Sequence, residues 1–338
     1  MMKKILFIGL FGLGSFGSQA QDAHLSMYDA APIFLNPAMT GVFQGDWRLH
    51  AQYRTQWKAV NYKPYTTALI SFDAPVKKWG FGGQISNFRA GLGNYNAFNA
   101  TASAAYTTSI DKSKNHNISF GIQGGLTQKS VEHQLLSFNN QYTTNNGGEF
   151  NTAVDPMEGF AAQSLILPNV NAGLLYFFAK QQSRLNPFIG FSAFNLTRPK
   201  ETFTGIDNRL PMRFYGHAGT RINITEMLYL LPKVLYMQQM KFGELTFALD
   251  AGYYLKGSDL YLLAGVIYRN SGTFTISNAD AMVVSIGAKM DSFIAKVGYD
   301  VNISSLSTVS NGRGGIELSF TYMKQKKKPK TEKICPRL

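Results

Sequence analysis

The 338-residue sequence predicts an all-β fold: a 14-stranded antiparallel transmembrane β-barrel of the outer-membrane type, with an N-terminal periplasmic arm or plug and a short basic C-terminal tail. Three observations predict it. Apolar and polar residues alternate with period 2 in one segment after another. Many of these segments reach ten residues, whereas strands of soluble proteins average about 5–6 and membrane-spanning strands need about 9–11. The long connections all fall at odd positions in the series, as a barrel with short turns at one mouth and loops at the other requires.

The chain opens with MMKKILFIGLFGLGSFGSQA, where Lys3 and Lys4 precede an apolar stretch starting at Ile5 and Ser18-Gln19-Ala20 supplies a small-x-small ending. Residues 1–20 therefore read as a secretory leader cleaved after Ala20, leaving Gln21 as the mature start. No cysteine follows the apolar stretch, so a lipid-anchored start is not expected. The formal G-x-G-x-x-G of Gly12 to Gly17 carries no weight, because a dinucleotide site needs a strand before it and a helix after it. Beyond the leader no apolar run approaches the ~20 residues of a membrane helix. The single cysteine, Cys335, excludes an intramolecular disulfide framework.

Residues 21–45 form the arm. It has no clean period, and Asn36-Pro37 is a turn-forming dipeptide that breaks helix and strand alike. Asn36, Pro37, Ala38 and Gly41 are the residues expected to fix the turn that seats it.

The barrel is expected over 46–323, in strands near 46–57, 64–75, 78–88, 93–109, 116–130, 168–179, 184–196, 211–223, 227–239, 243–256, 259–269, 281–290, 293–302 and 313–323. In ELTFALDAGYYL, Leu245, Phe247, Leu249 and Tyr253 share one face and Glu244, Thr246, Asp250 and Tyr254 the other. One face suits lipid and the other a wet lumen. The composition agrees: 25 Phe, 17 Tyr and 32 Gly coexist with a mean hydropathy of only -0.12, the average of two opposed faces. In WRLHAQYRTQW the lumen face carries Arg48, His50, Gln52, Arg54 and Gln56, and Arg48, His50, Arg54 and Gln56 are read as a polar cluster bonded to the arm or to lumen acids such as Asp250 and Glu317.

Short turns are expected around Lys77, 111–115, 180–183, Thr225, 257–258 and Asp291, and long loops over 131–167, 197–210, 270–280 and 304–312. An even strand number puts both termini on the short-turn side, in the periplasm. Unpaired backbone groups in hydrocarbon cost several kcal/mol each, so the sheet must close. Fourteen strands enclose a lumen too wide for inward side chains to fill, so it is plugged or it conducts.

The tail, 324–338, carries seven cations against Glu332, and Lys326, Lys327, Lys328, Cys335, Pro336 and Arg337 are its candidate contacts with a periplasmic partner. Solvation and outer-membrane lipid headgroups are its other readings. The compartment argues against nucleic acid. His24, His50, His116, His133 and His217 show no metal-ligand spacing, so neither a metal nor a cofactor is expected; no G-x-S-x-G occurs and the carboxylates do not pair at recurrent positions, so the residues mark no catalytic set.

Several motifs resemble the PorP/SprF membrane proteins of the type IX secretion system: Gln21-Asp22, Ser26 and Tyr28, then LNPAMTG from Leu35 to Gly41, and the R-x-Q-W of Arg54, Gln56 and Trp57. PNVNAGLLY, GFSAFNLTRP, VGYDVNIS, GGIELSFTY and the closing Cys335-Pro336-Arg337 extend the likeness over the mature chain. Ala23 and Leu338 depart from it. The resemblance implies a non-enzymatic outer-membrane accessory for export or surface attachment of large secreted proteins such as gliding adhesins. It implies partners in the substrate's C-terminal targeting domain and in the periplasmic secretion and motor complex. The alternative is a fatty-acid-channel-like transporter of hydrophobic small molecules, since those barrels also carry Asn-Pro-Ala in an N-terminal hatch.

Overall fold

In the computed structural model, residues 25–56, 63–91, 93–144, 148–151, 153–180, 183–273, 277–305 and 307–324 are described. The leader, Gln21, Asp22, His24, Trp57 and the tail residues Lys326, Lys327, Lys328, Cys335, Pro336 and Arg337 lie outside them. Among the described residues no helix is long and apolar enough to cross a membrane.

Fourteen strands close into one antiparallel barrel. They are β1 (Trp47–Gln56), β2 (Tyr65–Val76), β3 (Trp79–Ala90), β4 (Tyr95–Ser109), β5 (His116–Ser130), β6 (Ser164–Phe178) and β7 (Leu185–Phe194). The second half comprises β8 (Arg213–Asn223), β9 (Leu228–Gln239), β10 (Phe242–Leu255), β11 (Leu260–Thr273), β12 (Ser277–Met290), β13 (Phe293–Asn302) and β14 (Arg313–Lys324). Each strand pairs with the next, and β1 pairs with β14 from Trp47↔Lys324 to Gln56↔Gly315, which leaves no edge.

Period 2 survives as burial. Leu49, Tyr53, Phe247, Leu249, Leu318 and Phe320 are exposed, while Arg48, Arg54, Glu244, Thr246, Glu317 and Ser319 are buried. Lipid would cover the first set. Aromatic residues pair on the outer surface at the short-turn rim, Trp47 with Tyr322 at 5.0 Å and Trp79 with Tyr106 at 5.0 Å, as in an interfacial girdle.

Two expectations need correction. The loop expected over 270–280 is largely strand, because β11 runs to Thr273 and β12 starts at Ser277. A register shift at Arg269/Asn270 absorbs the mismatch and lets the hairpin continue. The loop expected over 131–167 ends earlier, since β6 begins at Ser164 and pairs Ser164 with Ser130. Beyond the bilayer the alternation weakens, so strand ends there are poorly marked.

Candidate functional site

The lumen holds the arm. From Leu25 to Phe43 almost every residue is buried, in three single turns: Tyr28–Ala30, Pro32–Leu35 and Pro37–Met39. Pro32 stands at a helix start, where its missing N–H costs nothing. Asn36, held extended at φ -156 by the following proline, ends that turn, and its Oδ1 accepts from the Ala38 amide at 2.9 Å to start the next.

Asn36 also fastens the arm to the wall. Its Nδ2 donates to the carbonyls of Leu174 on β6 (3.1 Å) and Phe191 on β7 (3.3 Å) and lies 3.1 Å from Nε2 of His217 on β8. Ser192 and Ser119 donate to the Leu35 and Ala38 carbonyls at 2.8 and 2.7 Å. Further on, the Gly41 amide donates to Asp73 at 2.7 Å, and Arg48 grips both oxygens of Asp73 while reaching the Met39 carbonyl.

The turn from Asn36 to Gly41 lies against a row of small residues paired across five strands: Gly80, Ala105, Gly121, Gly173 and Ser192. A Cβ on Gly80 would stand 2.0 Å from the Thr40 carbonyl oxygen, and one on Gly121 would stand 2.3 Å from the Pro37 carbonyl carbon. A Cβ on Gly173 would stand 2.0 Å from Asn36 Oδ1. Gly41 itself takes φ +71 where it crosses Gly80.

The amino half is fixed by charge. The amides of Ser26 and Met27 donate to the two oxygens of Glu317 at 2.8 and 3.1 Å, and Ser26 Oγ donates to Asp300 at 2.7 Å. Arg54 pairs with Asp300 (2.7 Å) and Glu317 (3.4 Å), and Arg269 bonds Ser26 Oγ and Asp280. Gln52 joins Glu317 to the Met27 carbonyl. Lys233 pairs with Asp29 of the arm and with Asp250, which Lys296 also approaches at 3.3 Å.

Three of the four residues in the expected polar cluster are deeply buried on the lumen face; His50 and Arg54 are joined through Gln52 and Glu317, whereas Arg48 bonds Asp73 and the Met39 carbonyl. Arg48 serves Asp73, Arg54 serves Asp300 and Glu317, and His50 bridges Thr321 and Gln52 within the wall. Gln56 is only half-buried near the strand end, and Gln52 occupies the junction instead. Asp250 partners lysines rather than these arginines. The lumen is also not uniformly wet: Leu175, Phe177, Phe188, Leu231, Leu235 and Met237 point inward and pack on Tyr28, Leu35, Met39 and Val42. LPKVLYM on β9 is apolar on both faces except at Lys233, the signal of a strand buried on both sides.

Strand parity expects the arm's start on the tail's side. Ser26 and Met27 lie instead beside Arg54, Asp300 and Glu317, close to the strand ends that lead into the long loops. The arm therefore climbs the lumen: its carboxyl end meets Lys324 at the short-turn rim through the Asp46 amide, at 2.8 Å.

Burial alone would raise the Asp29 carboxyl, but Lys233 and Lys296 overcome it and hold the group well below the usual carboxylate range. A carboxyl depressed by folding contributes stability above its unfolded value near ~4 and loses it as pH falls through the folded value. Arm protection from proteolysis should thus be constant from about pH 7 to 5 and fade only in stronger acid. Loss of protection between those two values would contradict this anchor.

The cavity beside Tyr28, Leu35, Met39 and Phe188 measures about 10 Å³, about the room for one water. Among the described residues no group of His, Cys, Asp and Glu could hold a metal ion.

The family profile described as type IX secretion system membrane protein PorP/SprF matches residues 17–322. No curated protein matches the chain. Among solved structures, the TodX deltaS2S3 mutant monoaromatic hydrocarbon channel superposes with a TM-score of 0.52 at 12% identity, covering 88% of this chain and 94% of that one. The Pseudomonas putida toluene transporter TodX gives 0.49 at 12%, covering 88% and 93%. The Ralstonia pickettii toluene transporter TbuX gives 0.49 at 10%, covering 87% and 94%. At 12% identity the first of these matches speaks to the barrel fold alone.

Proposed function

Because this chain belongs to the PorP/SprF family of type IX secretion system membrane proteins, we propose that it is a plugged, non-enzymatic outer-membrane accessory of that system. In this reading it supports export or surface attachment of large secreted proteins such as gliding adhesins. The long loops, facing outward, meet the substrate's C-terminal targeting domain. The short-turn rim and the basic tail face the periplasmic secretion and motor components.

The seated arm carries the reading. The bond network that holds Ser26 to Gly41 inside the barrel supports a docking role over a translocation role. The transporter alternative draws no support from a cavity of about 10 Å³ flanked by a buried lysine. Deleting the gene should abolish surface display of one or a few large adhesins. Unchanged display of every such substrate would overturn the proposal.

Asn36 and Pro37 fix the turn in this scheme. Replacing both with alanine removes the bonds to Leu174 and Phe191 and the preset backbone, a loss on the order of 1–3 kcal/mol for the buried polar groups alone. The arm should become cleavable by added protease while the barrel keeps its heat-modifiable migration. A native protein whose arm is already cleaved would sink the plug.

A further inference from the structure

The short turns divide into two halves of opposite charge. Those joining β2 to β3, β4 to β5 and β6 to β7 are neighbours around the rim. They carry Lys77, Lys78, Lys112, Lys114, Lys180 and Arg184 against the single acid Asp111. The turns joining β8 to β9, β10 to β11 and β12 to β13 carry Glu226, Asp259 and Asp291 against the single base Lys256. The six cations of the first arc are exposed.

The arc is also shaped. Asp111 accepts the amides of His116 (2.8 Å) and Asn115 (3.2 Å), and the first of these bonds leads in holding its carboxyl below the ordinary range. The one acid is thereby spent on the turn, with Lys114 at φ +56, and Lys112 and Lys114 project from a fixed loop. Ile110, 63% exposed, adds an apolar contact in the middle of the arc. The described chain ends at Lys324 on β14, which is separated from β2 only by β1, so the cation-rich final segment of the sequence begins beside one end of the arc.

We propose that this arc is a docking surface for an acidic face of a periplasmic protein, reached by a partner that sits to one side of the barrel. The sidedness selects the occupant. Lipid surrounds a barrel on every side, so cations serving anionic headgroups would ring the whole rim. Charge on half of it matches a partner that meets half of it. This proposal rests on the reading above, in which the short turns face the periplasm.

The test uses the full chain carrying Lys77→Glu, Lys78→Glu, Lys112→Glu and Lys114→Glu. A control of equal charge change, Lys63→Glu, Lys200→Glu, Arg209→Glu and Lys241→Glu, lies on the opposite mouth. In phosphatidylcholine nanodiscs a labelled 20-residue polyglutamate should bind the native protein and the control, and bind the arc variant on the order of tenfold more weakly. In cells the arc variant should lose co-purifying secretion-complex subunits and the control should keep them, at equal heat-modifiable barrel.

Equal polyglutamate binding by the arc variant, or full retention of the subunits, would overturn the proposal. So would an arc effect confined to vesicles containing phosphatidylglycerol, which assigns the cations to lipid. A gene deletion that blocks display while the arc variant displays and co-purifies normally defeats only the arc. A deletion without effect defeats the functional reading itself.

Discussion

Two methyl groups on the lumen wall, Gly121→Ala with Gly173→Ala, should expel the arm and turn a closed barrel into a conducting one. Each new Cβ meets backbone or a fixed amide: 2.3 Å to the Pro37 carbonyl carbon, 2.4 Å to the Ala38 nitrogen and 2.0 Å to Asn36 Oδ1. Backbone cannot rotate aside as a lysine end would. Overpacking of this kind costs about 1–3 kcal/mol per site, and the displaced turn also loses the bonds from Ser119, Ser192 and Asn36. The wall gains, since alanine is favoured over glycine in a strand by roughly 0.5–1 kcal/mol. Arm loss should therefore come with a barrel at least as heat-stable as before. Planar-bilayer recording should show open-pore current for the double variant and none for the native protein. If both remain closed, and the segment 25–44 resists protease equally in each, the small-residue row does not seat the arm.

That row could not be read from the sequence, and the reason is geometric. Gly80, Ala105, Gly121, Gly173 and Ser192 come together only through the register of five strands spread over more than a hundred residues. Glycine in a strand marks a close approach by something without saying what. The barrel itself is legible because lipid enforces period 2 on most strands: alternation alone puts Leu245, Phe247 and Leu249 outward, and they are exposed. Where lipid stops enforcing it, the reading frays, as in 270–280. The Asn36-Pro37 turn was visible in local chemistry, since an asparagine before proline is extended and caps its own backbone.

Lumen partners were legible only in kind. Inward charge needs a counter-charge, so Arg54 with Glu317 follows from two facing strands, β1 and β14, with those residues directly paired. Asp250 has no such neighbour among the β1 arginines, because β10 lies well around the barrel from them, and its cations are Lys233 on β9 and Lys296 on β13. The apolar half of the lumen was hidden by the assumption that inward means wet. Once an arm fills the lumen, inward means buried, and Leu231, Leu235 and Met237 are then ordinary core residues.

Lys233→Met should detach the arm's amino half, and the partners left behind explain the size of the effect. The Lys233 ammonium is buried between Asp29 on the arm and Asp250 on the wall, the latter at 2.5 Å. Without it Asp250 keeps Lys296 at 3.3 Å, but Asp29 loses its only paired cation among the described residues, and its Oδ1 already lacks a hydrogen-bond partner. Removing one member of a buried pair costs about 3–5 kcal/mol, because the other charge stays desolvated. The released segment would move to water, so the loss should appear as cleavage near Tyr28 while the barrel stays folded. Asp29→Asn alone should cost less, since Lys233 retains Asp250. The double variant Lys233→Met, Asp29→Asn should recover most of the protection, as removal of both charges leaves nothing buried and unpaired on the arm. A double variant as labile as Lys233→Met would show that the lysine acts through packing on Tyr28, 6.0 Å from its ring, rather than through charge.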